Sequence, residues 1–480
     1  MASVIPANQA RFTQAELVAA LSAEVEPFDG SVEGIWTDSR GELGGGLFIA
    51  LRGEHFDGHH FASAAARRGA RVLVVEEPVS DTGSAVVVRV ASTLTALGSL
   101  ALFHRRRWGG RVVGVAGSVG KTTTRSSVAA VLRASGLIVH SPAGNLNNLI
   151  GVPLVLLGLE ARHPLCVVEI GTNAPGEVER ICAIAEPDVG VLTRIALEHS
   201  AGLGDLDAIE REEGALLGAL GVVGAAVVNA DDERCLRQLA RCKAQLVVRY
   251  GLGARSGEHR QYRIAGHSSA LGGSAQVRLE RPDAPPLDAH TPLLGLPGAY
   301  ALAAAVATAE VLLGRALSSL ELANALADPA LSEPGRLTPV ELSDGTLVLD
   351  DTYNASPASV RSSIAVALDL AGRRGARLVL VLGEMLELGA LSIEAHRELG
   401  ADIAAANPAL VIGFGGDAAG FLETPSQLGL PTLFAPDAPA ALAIVARERR
   451  PGDVILVKAS RGLRGERIVA GLRGEKGTRS

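Results

Sequence analysis

The sequence predicts an α/β protein of three domains. A doubly wound parallel sheet built around a phosphate-binding loop stands in the centre. A Rossmann-like α/β domain follows it, and a smaller α/β domain precedes it. Three observations carry this reading. Short apolar runs alternate with helical segments along most of the chain, the pattern of parallel sheets covered by helices on both faces. The chain has 480 residues, enough for several domains. Hydrophobic residues make up 48% but aromatic residues only 3%, so cores of Ala, Leu, Val and Gly are available, whereas a platform of stacked aromatic rings for nucleic acid is not. A formal net charge of -7 also argues against a general nucleic-acid binder.

The first block, residues 1–109, holds the short strands "GLFIAL" and "RVLVVEE" with the helix "FASAAARRGA" between them. The helix "STLTALGSLALFHRRR" closes it on a basic turn, which suits a helix C-terminus. "WGG" marks the boundary. The second block, residues 110–331, opens with the strand "RVVGVAG" and runs through a glycine loop into the helix "TTTRSSVAAVLRASG". Its later strands are "LCVVEIG", "VGVLTRI" and "GAAVVNADD". Residues 251–292 turn polar and rich in Gly, Pro and Ser, and predict a small antiparallel excursion. The third block, residues 332–480, alternates "TLVLDD", "RLVLVLG", "ALVIGFGG" and "DVILVKAS" with helices such as "IEAHRELGADIAAAN". The N-terminus "MASVIPANQARF" lacks a signal-peptide core. No uninterrupted apolar run reaches the ~20 residues of a membrane span. Cys166, Cys182, Cys235 and Cys242 have no zinc-like spacing and read as scattered reduced thiols. The expectation is a cytoplasmic protein working as a monomer.

The stretch Gly117-Ser118-Val119-Gly120-Lys121-Thr122-Thr123 lies between a strand and a helix. Backbone N–H groups and a helix N-terminus in that setting attract phosphate oxygens. Lys121 would neutralise the outer phosphates and Thr122 would offer its hydroxyl to Mg²⁺. The widespread form of the motif has one more glycine, at the column of Val115. Mg²⁺ also needs hard oxygen ligands. Glu169 ends the strand "LCVVEIG", where open α/β sheets place functional groups. His199 follows the strand "VGVLTRI" and is a further candidate ligand, although a lone histidine is more often structural.

The shortened loop resembles that of the Mur ligase family. "TDSR" (Thr37–Arg40), "LFIALRGEHFDGHHF", "AGNLNNLIGVP", "VVEIGTNAPGEV", "PGRL", "LDDTYNASPASV", "LGEMLELG" and "VKASR" extend the resemblance over essentially the whole chain. "LGEMLELG" and "DDTYNASP" are most similar to the branch that adds D-alanyl-D-alanine to UDP-N-acetylmuramoyl-tripeptide in peptidoglycan precursor synthesis. The resemblance implies ATP and Mg²⁺, with amide formation through an acyl phosphate. It implies that Ser39 and Arg40 sit near the uridine diphosphate end, and that Asn145, Asn147 and Asn148 line the central site. Arg336 would reach ATP phosphates, Asp351 and Tyr353 the nucleoside, and Lys458 and Ser460 the incoming dipeptide.

Two stretches depart from the family pattern. The resemblance implies a carbamylated lysine shortly after the metal histidine, and counting from His199 puts Arg211 in its column. An arginine does not take that modification, because its guanidinium stays protonated. Glu213, or else Glu212, would then supply the missing metal-binding charge; the alternative is a solvated charged face. In "LPGAYALAAAVATAE", Tyr300, Ala301 and Ala304 replace the histidine and asparagines that the resemblance implies near the nucleotide. Besides the dipeptide ligase, two readings stay open: a related ligase with another acceptor, and a nucleotide- or precursor-binding protein that has lost ligation.

Overall fold

The computed structural model describes residues 8–41, 43–53, 56–253 and 260–474. Glu54 and His55, inside the stretch "LFIALRGEHFDGHHF", lie outside the described residues. Four sheets are present among the described residues. Arg11–Thr13 pairs antiparallel with Ser31–Glu33, a small ribbon that the sequence pattern did not announce. A four-stranded parallel sheet follows, running Ile35–Trp36, Leu47–Ile49, Val72–Val75 and Val86–Arg89 in order.

The helix Thr93–Trp108 leads out of this first region. Ser92 caps its N-terminus by accepting from the Thr95 N–H, and Gly109 ends it at φ 73°, a left-handed conformation that glycine takes without strain. The basic last turn has a specific job. Arg105 is buried and donates to the carbonyls of Ala185, Glu186 and Gly110, pinning the helix to the central region. Leu97, Leu100 and Ala101 join one hydrophobic cluster with Val152, Ile181 and Leu216. Each fully buried leucine contributes about 2 kcal/mol by area removed from water. The core therefore continues across residue 109, although the sequence changes character there.

The central sheet has nine strands. From edge to edge they are Ala284–Thr291, Ser274–Arg281, Arg260–Ala270, Leu246–Gly251, Ala225–Asn229, Val189–Leu192, Arg111–Ala116, Leu165–Glu169 and Val139–His140. The first three form the expected antiparallel excursion, but they extend the main sheet: Arg260–Ala270 pairs in parallel with Leu246–Gly251. Tyr262 and Arg281 from this extension both bond Glu310, which ties it to the helix Gly295–Leu313.

That helix is the one described helix long and apolar enough to cross a membrane. Here it is a core element: Ala301, Leu302, Ala303, Ala304 and Ala305 are all buried and pack beside the helix Lys121–Ala134. Its alanines let two helices approach closely, so Ala301 and Ala304 are packing residues at columns where the resemblance implied asparagine.

The last sheet has six strands, in the order Thr338–Glu341, Leu347–Asp351, Val454–Lys458, Leu378–Gly383, Leu410–Phe414 and Thr432–Ala435. Only the first pairs antiparallel. The three α/β layers of the sequence reading are thus present, and loops from the central and C-terminal layers line one cavity.

Candidate active site

Register places the functional strand ends side by side. Val115 pairs with Glu169, and Ala116 with Leu192, so the glycine loop, Glu169 and the segment leading to His199 leave the same edge of the sheet. Gly117 adopts φ 122° and packs against Thr193 and Arg194, leaving no space for a Cβ. The Ser118 hydroxyl accepts from the Ala196 N–H at 2.9 Å, locking the loop to the neighbouring connection. Lys121 then opens the helix Lys121–Ala134.

A cavity of about 380 Å³ lies over this edge, between the central and C-terminal sheets. Ser118, Val119, Gly120, Lys121, Thr122, Thr123, Glu169 and His199 line it, as do Asn145, Asn147 and Asn148. Its far wall holds Arg336, Asp351, Tyr353, Lys458 and Ser460. Among the described lining residues Ser39 and Arg40 do not figure. Ser39 is buried in the N-terminal region, and Arg40 is exposed and paired with Asp38. Asp351 and Tyr353 face this central cavity and not the apolar cleft beside it, a cleft of about 420 Å³ lined by Tyr250, Tyr300 and Ala301.

The central wall concentrates acid. Lys121 Nζ donates to Glu198 at 2.9 Å. Thr122 donates its hydroxyl to Glu169 at 2.8 Å and accepts from Arg336 at the same distance. Asn147 donates to the other Glu169 oxygen at 2.9 Å, and Asn148 Oδ1 accepts from the Ile150 and Gly151 N–H groups at the start of the next helix. Glu213 is buried, and the Gly117 N–H donates to it at 2.6 Å. Burial pushes its carboxyl up to about 7, against the pull of Lys121 and with help from Glu198. Burial alone would lower the Lys121 ammonium, but Glu198, Glu213 and Glu169 together hold it above the ordinary lysine value.

Arg211 is exposed, and its carbonyl accepts from Arg241. Glu212 turns away from the loop and accepts from the Gly176 and Val178 N–H groups at the start of the helix Glu177–Ala185. Of the acidic run, only Glu213 reaches the glycine loop. The expectation that Arg211 occupies the metal-facing column is corrected by the phase of this helix.

The C-terminal wall is basic. Lys458 is buried and donates to Asp351 at 2.6 Å and to the Asn354 carbonyl at 2.9 Å. Burial depresses its ammonium despite Asp351. The Arg336 guanidinium lies 3.8 Å from the Tyr353 ring centroid, and Arg461 stacks on the same ring at 4.8 Å. Arg125 joins the two walls: it pairs with Glu333, and its Nε lies 3.8 Å from Glu169.

Glu198, Glu387, Arg125 and Arg461 went unnoticed in the sequence. Glu198 carried one signal, an acid beside the candidate histidine. Glu387 lies in "LGEMLELG", where nothing local links it to His199.

A phosphate loop whose lysine faces buried carboxylates, covered by a second α/β layer, defines a nucleotide-dependent enzyme. Known proteins narrow this. Residues 31–105 match the Mur ligase family catalytic domain, 115–309 the Mur ligase middle domain and 335–461 the Mur ligase glutamate ligase domain. The UDP-N-acetylmuramoyl-tripeptide–D-alanyl-D-alanine ligase of Escherichia coli is 32% identical over 97% of this chain and 99% of its own. The Bacillus subtilis enzyme of the same name is 31% identical over 95% and 97%. A MurF crystal structure from Acinetobacter baumannii superposes with a TM-score of 0.86 at 27% identity, covering 97% of this chain and 100% of that one. MurF ligase from Thermotoga maritima in complex with ADP gives 0.78 at 26% identity over 92% and 97%. The chain belongs to the Mur ligase family, and it is an ATP-dependent amide ligase.

Proposed function

We propose that this enzyme joins D-alanyl-D-alanine to UDP-N-acetylmuramoyl-tripeptide, in peptidoglycan precursor synthesis, through an acyl phosphate. One observation carries the reading: a single cavity has an acid-rich phosphate-loop wall and, opposite it, a basic wall. End-to-end similarity to ligases of that name supports the choice of substrates.

A carboxylate resists amines because its leaving group would be oxide. In the proposed reaction the peptide carboxylate attacks the γ-phosphorus of ATP, and ADP leaves. The dipeptide amine then attacks the acyl carbonyl, gives up a proton, and expels phosphate from the tetrahedral intermediate. Loop N–H groups and Lys121 hold the transferring phosphoryl group, while Arg336 reaches it across the domain junction. Lys458 suits the dipeptide carboxylate. Positioning and charge neutralisation carry the barrier reduction. Layers closing on the cavity exclude water from the acyl phosphate.

The donor set fits Mg²⁺. Thr122, Glu169, Glu198 and Glu213 offer oxygen ligands, and the buried carboxylates outnumber Lys121. His199 adds a ring nitrogen. When bound, Mg²⁺ supplies charge neutralisation for phosphoryl transfer. Glu213 carries the anion that a carbamylated lysine would otherwise provide. Ser39 and Arg40 serve the uridine diphosphate end, and Asp351 and Tyr353 shape the basic wall.

The test is to incubate the protein with ATP, Mg²⁺, UDP-N-acetylmuramoyl-tripeptide and D-alanyl-D-alanine, then weigh the products. The expected mass is that of UDP-N-acetylmuramoyl-pentapeptide, with ADP and phosphate in equal amounts. ATP consumption only with single amino acids would reassign the acceptor.

A further inference from the structure

The loop that follows the strand Leu378–Gly383 reaches out of the C-terminal layer and seats on the segment around His199. Three polar contacts join them. The His199 Nδ1 lies 2.5 Å from the Glu387 carboxylate. The Ala201 N–H donates to the Glu387 carbonyl at 3.1 Å, and the Ser200 hydroxyl donates to the Leu388 carbonyl at 2.9 Å. Two residues of this clasp take backbone conformations uncommon for side-chain-bearing residues: His199 at φ 51° and Glu387 at φ 66°. Gly389 permits the approach. A Cβ there would stand 3.0 Å from the Ala201 Cα. The loop is held from behind by its own layer, through the Leu386 N–H on Ser460 at 2.9 Å and the Met385 N–H on buried His396 at 2.9 Å. Thus the contact is braced on one side and reaches the cavity on the other.

We propose that Glu387 is a positioning residue that makes His199 competent only when the C-terminal layer is closed. By accepting the Nδ1 proton, its carboxylate fixes the ring's orientation and reserves Nε2, which lies 4.0 Å from Glu198, for a cation. The partner of a metal-binding histidine commonly does this work. What is particular here is that the partner comes from a different layer of the protein. Opening removes Glu387, and His199 then loses its orientation. Phosphoryl transfer is thereby confined to the closed form, in which water is excluded. The inference rests on the reading that the cavity beside His199 holds Mg²⁺.

Three variants test it: Glu387→Ala, Glu387→Gln and Gly389→Ala. A glutamine oxygen still accepts a hydrogen bond, so Glu387→Gln is the conservative rescue. Glu387→Ala should raise the Mg²⁺ concentration for half-maximal ligation, and lower kcat, by about tenfold or more, the usual cost of losing such a partner. The KM for ATP should stay within about twofold, because no loop contact to phosphate is altered. Glu387→Gln should recover most of both losses. Hydrogen exchange of the Ala201 amide, followed with a non-hydrolysable ATP analogue bound, reads the clasp without any turnover. Gly389→Ala should accelerate that exchange. A parental Mg²⁺ midpoint and kcat in Glu387→Ala would overturn the proposal. So would unchanged Ala201 exchange in Gly389→Ala. If the parental enzyme needs no divalent cation, the metal reading itself fails, while the exchange result still judges the clasp.

Discussion

A half-buried lysine, Lys121, and a buried one, Lys458, line opposite walls of the cavity, and their surroundings differ. Lys121 sits 2.9 Å from Glu198, and Glu169 and Glu213 are close by. Its ammonium is held above the ordinary value. Lys458 sits 2.6 Å from Asp351, with the Arg336 guanidinium as a further charge. Its ammonium is depressed. Each lysine has a carboxylate partner, so the pair alone does not decide the outcome. On the loop wall three carboxylates outweigh the burial that would lower the ammonium, whereas on the opposite wall burial outweighs the one carboxylate and Arg336 adds to it. A surplus of buried acid calls for cations, and a buried ammonium with the Arg336 and Arg461 guanidiniums lining the same wall favours an anion. The cavity is thus divided into a half suited to metal and phosphate and a half suited to a free carboxylate.

The largest expected effect comes from removing the loop lysine. Lys121→Ala should cost ~3–4 kcal/mol of barrier, about a hundred- to a thousandfold in kcat, as for other electrostatic donors at a developing charge. It should also lower thermal stability. The loop sequence alone suggests a surface cleft, yet Lys121 is half-buried and pairs with buried Glu198, so its loss leaves buried acid unpaired. Parental turnover in this variant would remove the loop from the mechanism. Lys458→Met tests the opposite wall. Its effect should fall on the KM for D-alanyl-D-alanine, about tenfold or more for a lost charge-assisted bond. The KM for ATP should hardly move. Equal changes in both constants would collapse the proposed division.

Glu213 sharpens the comparison through pH. Its folded-state carboxyl is raised from 4.5 to about 7. A raised carboxyl stabilises the fold fully below the unfolded value, and that contribution is lost as pH rises through about 7. Melting curves without divalent cations should therefore fall between pH 5 and pH 8. This group accounts for at most about 3 kcal/mol of that loss, since a tenfold change in proton affinity is worth ~1.4 kcal/mol. Glu213→Gln should flatten that slope and also depress ligation. A parental slope in the variant would show that Glu213 does not titrate there. Because Glu213 is encoded in the chain, ligation should be the same in bicarbonate-free and bicarbonate-supplemented buffer. A dependence would mean that a carbamate forms elsewhere. The smallest effect is expected at Arg40, which lies outside the cavity and is exposed. Arg40→Ala should weaken the UDP-linked substrate by about tenfold or less and leave ATP titrations unchanged.

What was legible in the sequence follows from distance along the chain. The glycine loop, Lys121 and Thr122 form one local motif, and Glu169 ends a strand next in the sheet, so strand patterning alone brings them near. Glu387 and Glu333 meet His199 and Arg125 across long separations that only domain packing creates. Arg211 and Glu213 show a different limit. Both lie in the helix Leu206–Glu213. At about 100° per residue they point to nearly opposite sides, so a count along the sequence that is off by two exchanges surface for site. Tyr300 stands at the column where the resemblance implies a histidine near the nucleotide. It lines the apolar cleft, but its hydroxyl is committed to Asp231 at 2.7 Å.

The alanine-rich helix Gly295–Leu313 has a consequence for how the chain is made. Every strand of the central sheet precedes it in the sequence, as does the helix Lys121–Ala134 that it packs against. During synthesis the surfaces that receive it have therefore left the ribosome before it does. A chain folding from its N-terminus can cover this segment as it emerges. A chain that stalls before the sheet is assembled would present a length of apolar helix fit for a bilayer, or for another stalled copy.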